Sequence, residues 1–464
     1  MLWIVALAAS SCPQPAPTPP AAEPWHPGRV LPADGNVARG LVDVRGLIHA
    51  HSVYSHDACD GEPVLADGSV DGVCFDDFRR GLCQSRHDFV FLTDHGDRFI
   101  STPYPDALLY RPERGDVLVE RNGHPVANRI LCDDGRPVLI MAGSENGLMP
   151  VGLETHIDDD ETVRARLYGE KDEAAATRLR DHGAIVLLAH PEDYSVDELR
   201  ALPVDGFEMY NLHRNTVLGA GFVLELLLRT NAGETGLLHP DLLVMGIVSE
   251  DPDYLERWGR VLAGGKRLTT TMGTDCHRNT FTTIMADGER GDSYRRMMQS
   301  FSNHLLVRPA STDAVIDDAD LKEALRAGRL FGVFEMFGHP TGFDVFAIAQ
   351  GQTFEMGDEV PVGATIRVER PRVRELDPTV EPPRLIARIL RAVDDTDGFV
   401  EVARGEAQTL EFETTEPGVY RAEIRIMPWH LRAYLGFDDI RLLDDAELAG
   451  TDYVWIYGNP IYVR

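Results

Sequence analysis

The sequence predicts a closed α/β barrel over residues 41–337, followed by a small all-β, sandwich-like domain over residues 338–464. Three observations lead there. A chain of 464 residues exceeds one ordinary core, and its 43% hydrophobic content can fill two. Up to about residue 335, short apolar runs alternate with helical stretches, and the runs end in clusters of His, Asp and Glu. Beyond Phe337 the pattern becomes apolar residues alternating with charged ones, punctuated by turn signals.

The chain opens with an apolar run over residues 2–9, followed by Ser10-Ser11-Cys12. This reads as the end of a bacterial secretory signal with a lipoprotein-type processing site at Cys12, although no Lys or Arg precedes the run and Ala9 stands where such sites usually have Leu. Seven prolines between residues 13 and 27 suit an extended, solvated tether, assigned to 13–40. The expected location is the cell envelope, lipid-anchored or periplasmic, with membrane contact only through the lipid. No later segment is apolar for long enough to span a bilayer. The six cysteines form no CxxC zinc pattern. In an exported domain, Cys59, Cys74, Cys83 and Cys132 are expected to contribute at least one disulfide, and Cys276 is expected to stay unpaired.

Within the first domain, Leu47-Ile48 precedes His49-Ala50-His51, with Asp57 a short turn later. In an extended strand, residues i and i+2 share a face, so both imidazoles can meet one cation. The pattern then repeats along the chain. Phe89-Val90-Phe91-Leu92-Thr93 ends in Asp94-His95, and Val138-Leu139-Ile140-Met141-Ala142 ends in Gly143-Ser144-Glu145. A run around Leu153 leads to His156, and Ala184-Ile185-Val186-Leu187-Leu188 ends in Ala189-His190-Pro191. Gly206-Phe207-Glu208-Met209-Tyr210 ends in Asn211, and Leu268-Thr269-Thr270-Thr271-Met272 ends in Gly273-Thr274-Asp275-Cys276-His277. Helices are expected over 172–182, 253–263 and 320–328, the last with Leu321, Ala324 and Leu325 on one face. Strands apolar on both sides imply a parallel sheet covered on both faces. Ligands at so many strand ends favour a closed barrel, whose sites lie at that rim, over an open doubly wound sheet, which gathers residues at one crevice. In the second domain, stretches 365–370, 385–391, 409–414 and 419–426 read as half-buried antiparallel strands.

The candidate ligands are His49, His51, Asp57, His95, Glu145, His156, His190, Asp275 and His277. Imidazole and carboxylate without thiolate suit zinc, manganese or iron, and nine donors fit two or three ions rather than one. Arg98 and Arg278 follow ligand clusters and could grip an anionic substrate or lie in solvent. The formal charge of −30 repels polyanions, so nucleic acid is not an expected partner.

Taken together, His49-Ala50-His51 with Asp57, Thr93-Asp94-His95, Glu145, His156, Ala189-His190-Pro191 and Gly273-Thr274-Asp275-Cys276-His277 resemble the metal motifs of the polymerase and histidinol phosphatase (PHP) superfamily of phosphoesterases. The resemblance covers roughly residues 41–335 and implies a distorted (β/α)7 barrel with a trinuclear site. It assigns one metal to His49, His51, Glu145 and Asp275, and a second to His156 and His190 with Glu145 bridging. The third falls to Asp57, His95 and His277, with Asp57 standing where some members have His. It also turns Asn211 toward the pocket. Glu145, Asp275 and Asp94 are the expected catalytic residues. The exported barrel with its C-terminal β domain, Ala324-Leu325-Arg326-Ala327-Gly328-Arg329 and the terminal Gly458-Asn459-Pro460-Ile461-Tyr462-Val463 are similar to the carbaryl-hydrolase-like branch.

The implied chemistry is hydrolysis of a small phosphoester, a monoester or a diester, by a water that the cations make nucleophilic at neutral pH. Carboxyl or carbamate ester hydrolysis on the same site is the alternative. A non-catalytic metal-binding surface lipoprotein is the alternative of another class.

Overall fold

Period-two burial organises the first part of the chain. In the computed structural model, Ile48, Phe89, Phe91, Leu139, Met141, Ile185 and Leu187 pack into one apolar cluster, while Leu47, Val90, Val138, Ile140 and Val186 face another. Strands buried on both faces are what the near-continuous apolar runs dictate. The structure describes residues 23–35, 37–248, 250–309, 315–437, 448 and 450–464. The signal and lipid-attachment reading at residues 1–12, including Cys12, and residues 13–22 of the tether lie outside them.

Seven strands carry these residues: β1 (Leu41–Ala50), β2 (Phe89–Phe91), β3 (Pro137–Glu145), β4 (Met149–Leu153), β5 (Ile185–Leu187), β6 (Gly206–Asn211) and β7 (Thr269–Cys276). β1 runs parallel to β2 and β7, β2 parallel to β3, and β6 parallel to β7. Just past β5, the Leu188 amide donates to Gly206 O and the Glu208 amide to Leu188 O, which closes the circuit. β4 is antiparallel to both its neighbours. It follows β3 by a short return with no intervening helix, so the expected strand–helix alternation fails here. The C-terminus of β4 therefore points to the end opposite Glu145.

Helices α1 (Gly72–Gln84), α2 (Glu173–Asp181), α3 (Leu212–Asn231), α4 (Pro252–Ala263) and α5 (Asp318–Ala327) accompany these strands; α2, α4 and α5 are the three expected ones, and α1 and α3 are additional. α5 starts on an Asp317/Asp320 capping box and ends at Gly328 with φ 74°, a left-handed position that suits glycine. It buries Leu321, Ala324 and Leu325 in the same cluster as Ile48 and Phe89.

β8 (Ser302–Val307) pairs antiparallel with the first half of β1, and β9 (Leu330–Val333) pairs with β8. Two antiparallel sets make up most of the C-terminal part, beside a short pairing of Pro340–Thr341 with Arg372–Val373. The first orders β11 (Gln352–Glu355), β10 (Asp344–Ala349), β12 (Thr365–Glu369) and β15 (Thr409–Glu413). The second contains β13 (Arg384–Ala392), β14 (Phe399–Gly405), β16 (Gly418–Met427), β17 (Tyr453–Gly458) and β18 (Ile461–Val463). β17 pairs with β9 through Phe331↔Gly458 to Val333↔Ile456, so hydrogen bonding runs unbroken from the large mixed sheet into the β-rich part. The described part of the expected tether is packed rather than solvated. Trp25 and Leu31 are buried, and the Trp25 amide donates to Glu375 O at 2.7 Å. Two large apolar side chains outweigh the proline signal there.

Both ends of α1 are stapled, by Cys59–Cys74 and by Cys83–Cys132. Cys276 is free and buried, as expected. Among the described residues, no helix is long and apolar enough to cross a membrane.

A buried ion network beneath β1 sets a pH dependence. His304 Nδ1 lies 2.8 Å from Asp43 Oδ1, and its Nε2 lies 3.3 Å from Glu335 Oε1, which also meets the fully buried Arg45. Burial pulls the His304 pKa down, but Asp43 and Glu335 more than offset it and push it from 6.5 up to about 9. A pKa raised on folding stabilises fully below about pH 6.5, and that contribution is lost as pH climbs through 9. At 1.36 kcal/mol per pH unit it amounts to roughly 3 kcal/mol. His304→Gln should therefore cost far more stability in denaturant melts at pH 6 than at pH 10, and an equal cost at both would contradict this origin.

Candidate metal centre

Six of the seven circuit strands end at one rim, and their last residues and following loops supply the donors. His49 and His51 come from the end of β1, with Asp57 on the loop beyond. His95 follows β2, Glu145 ends β3, His190 follows β5, and Asp275 and His277 lie at the end of β7. Three groups have donor atoms within 4.8 Å of one another: His49, His51, Glu145 and Asp275; His51, Asp57, His95 and His277; and His213, Asp275 and His277.

Glu145 sits at the centre. Its Oε2 is 3.3 Å from His49 Nε2, 3.3 Å from His51 Nε2 and 3.6 Å from His95 Nδ1, while its Oε1 is 3.0 Å from His190 Nε2. Asp275 Oδ1 is 3.3 Å from His49 Nε2 and 3.0 Å from His51 Nε2. Around a tetrahedral ion with bonds of about 2.0–2.1 Å, donor atoms stand roughly 3.3 Å apart. The observed separations match that spacing.

The outer contacts fix which nitrogen of each ring points inward. Glu208 Oε1 takes His49 Nδ1 at 2.6 Å, Ser55 Oγ takes His51 Nδ1 at 3.0 Å, and Glu192 Oε1 takes His190 Nδ1 at 3.1 Å. Ser55 Oγ donates to Asp57 Oδ1 at 2.9 Å, so it accepts from the His51 Nδ1–H. Each ring is thus oriented with its Nε2 toward the carboxylates, the arrangement in which imidazoles ligate metals. Buried His277 Nε2 lies 3.2 Å from Asp57 Oδ2, and both belong with His51 and His95 to one group of clustered donor atoms. Imidazole and carboxylate at that spacing are a donor set for zinc-class cations. The residues therefore fit divalent cations.

Electrostatics agree with that fit. Burial would raise the carboxyls of Glu145 and Asp275, but the surrounding rings hold both well below the usual range, so both are ionised. His51 is pulled down by burial and pushed up by Asp275 and Glu145, to about 9. Among the described residues no Lys or Arg pairs with Glu145, Asp275, Glu208 or Asp57, so only protons on histidine or bound cations can balance them. Three donors also stand at positive φ: His49 at 85°, His190 at 52° and Asp275 at 48°. Non-glycine residues held there store roughly 1–3 kcal/mol each, a cost typical of functional sites.

Four expected residues lie elsewhere. His156 follows the reversed strand β4, and its Nε2 meets Thr102 O at 2.7 Å among Phe99, Tyr104 and Tyr168. Asp94 accepts from the Ser52 amide at 2.6 Å and from Ser52 Oγ at 2.7 Å, which fixes the turn after His51. Burial pushes its carboxyl up to about 6 despite those bonds. Arg98 pairs with Glu62 at 3.2 Å, and Arg278 pairs with Asp77 at 2.9 Å. Asn211 does reach the site, donating to Glu208 Oε2 at 3.1 Å and to Asp275 Oδ2 at 3.4 Å. A register shift between Glu208 and Tyr210 lets residues three apart on β6 face the same way. Sequence reasoning missed Glu192, Glu208 and His213. Glu208 was within a noted strand, but alternation alone placed it opposite Asn211.

No family model matches the chain, and no curated protein matches it. Among solved structures it is similar to a two-domain protein containing a predicted PHP-like metal-dependent phosphoesterase from Bacteroides vulgatus. The two are 13% identical over 95% of this chain and 100% of that one, with a TM-score of 0.32. A likeness at that score carries no weight, and the site geometry stands alone.

Proposed function

We propose that the chain is an exported, metal-dependent hydrolase of small phosphoesters. In this reading it is a member of the PHP superfamily, the seven-strand circuit is the distorted (β/α)7 barrel of that family, and the C-terminal β sets are a sandwich-like domain. The observation that carries the proposal is Glu145, one carboxylate within 3.0–3.6 Å of four imidazoles. A carboxylate so placed suits bridging between cations.

His49, His51, Glu145 and Asp275 would hold one ion, Asp57, His95 and His277 another, and Glu145 with His190 a further one. Such ions supply Lewis acidity, activating water and neutralising charge on the ester. The chain's own residues do the positioning. Glu208, Ser55 and Glu192 set the tautomers, Asp94 holds Ser52 beside His51, and Asn211 steadies Asp275. With Arg98 and Arg278 paired outward, negative charge on the substrate falls to the cations and histidines. The two disulfides support an oxidising compartment, and lipid attachment at Cys12 belongs to the same proposal.

The test is a panel of phosphomonoesters, phosphodiesters, carboxyl esters and carbamates, assayed with and without chelator. We expect turnover of a phosphoester, abolished by chelator and restored by zinc or manganese. Turnover confined to carboxyl or carbamate esters would move the substrate class and keep the metal chemistry. No turnover of any ester by metal-loaded protein would favour a binding protein.

A further inference from the structure

The proposed ligand set leaves one position short. Of the residues the pattern gives to the ion at Glu145 and His190, His156 sits beyond the reversed strand and hydrogen-bonds Thr102 O. At the mouth of the same rim stands His213, on the first turn of α3, with its side chain 61% exposed. Its Nδ1 lies 3.4 Å from Asp275 Oδ2, and His190 Nε2 lies 3.5 Å from that same oxygen. His213 also faces the His277 ring at 5.8 Å, and donor atoms of His213, Asp275 and His277 all fall within 4.8 Å of one another.

The contact that places His213 is its approach to Asp275, not a role in starting the helix. Asn211 already caps α3, accepting from the Arg214 amide at 3.1 Å, so the helix does not need His213 for its start. An exposed ring is not held there by packing. The cap does fix the first turn of α3 against Asp275, because Asn211 Nδ2 donates to Asp275 Oδ2 at 3.4 Å. Asp275 Oδ2 thus has two imidazole nitrogens at 3.4 and 3.5 Å, near the spacing expected of donors around one ion.

Resting on the metal reading above, we propose that His213, rather than His156, completes the ion at Glu145 and His190, reaching it beside Asp275 Oδ2. The signal in the sequence is His213 two residues after Asn211. At the start of the reversed strand β4, which lies at the Glu145 end, the chain has Leu148 and Met149, neither an imidazole nor a carboxylate.

The experiment loads wild type, His213→Ala and His156→Gln with zinc, removes excess by dialysis, and counts ions per chain by mass spectrometry. Cobalt absorption gives an independent readout of ligand change. His156→Gln keeps an amide that can donate to Thr102 O, so its fold should persist, as near-wild-type melting would verify. We expect His213→Ala to lose about one ion and to change the cobalt spectrum, and His156→Gln to keep the wild-type count and spectrum. Retention of every ion by His213→Ala, or loss of one by His156→Gln, overturns the assignment. A wild-type chain that binds no zinc overturns the underlying metal reading instead.

Discussion

Glu145→Gln should lower ester turnover by roughly a thousandfold or more while leaving the fold intact. The substitution is nearly isosteric, but it removes one negative charge and turns one carboxylate oxygen into an amide. That side chain meets His49, His51 and His95 through Oε2 and His190 through Oε1. A carboxamide cannot bridge cations as a carboxylate does, so more than one ion should weaken together. A ligand serving a single ion should deplete only that ion. Loss of the activated water removes the chemistry itself, which sets the size of the effect. Stability should change little, because Glu145 lies at the rim and the apolar cluster beneath it is built from Ile48, Phe89, Leu139 and Leu187. Metal content per chain, thermal melting and turnover of the best ester check this. Full metal content with near-wild-type turnover would exclude Glu145 as the bridging group.

Glu208→Gln should weaken metal affinity about 10–100-fold, the usual consequence of altering a carboxylate behind a ligating histidine. Glu208 is fully buried, accepts His49 Nδ1–H at 2.6 Å and is itself held by Asn211 at 3.1 Å. Gln keeps the shape but takes away the charge that makes His49 Nε2 a strong donor, and its amide end can present N–H to N–H. Gly273→Ala should produce a similar defect without replacing a polar group, because an added Cβ would overlap the Glu208 carboxylate and displace it. Competition titration with a chromogenic chelator measures the affinity. If Glu208→Gln binds metal as tightly as wild type, Glu208 does not tune His49.

Much of this site was legible because its donors end apolar strands. His49, His51, Glu145, His190 and Asp275 each stand where a run of buried residues stops, and parallel strands carry such ends to one rim. His156 failed by the same logic. It also follows an apolar run, but strand direction is set by the short return between Glu145 and Met149, which periodicity does not report. Glu208 was hidden by a bulge, since a shift of one residue reverses the face predicted from alternation. His213 lies on a helix rather than at a strand end. The C-terminal strands were legible as half-buried, yet their pairing with the rest of the sheet through β9 and β17 was not. Pairing over more than a hundred residues of sequence leaves no local signature.

Metal content of the wild-type chain tests the central claim most directly. Purified protein, loaded with zinc or manganese and dialysed, should retain two or more ions per chain. Stripping them with chelator should abolish ester hydrolysis, and restoring them should bring it back. A chain that retains less than one ion and hydrolyses its best ester equally well with and without chelator would contradict the account.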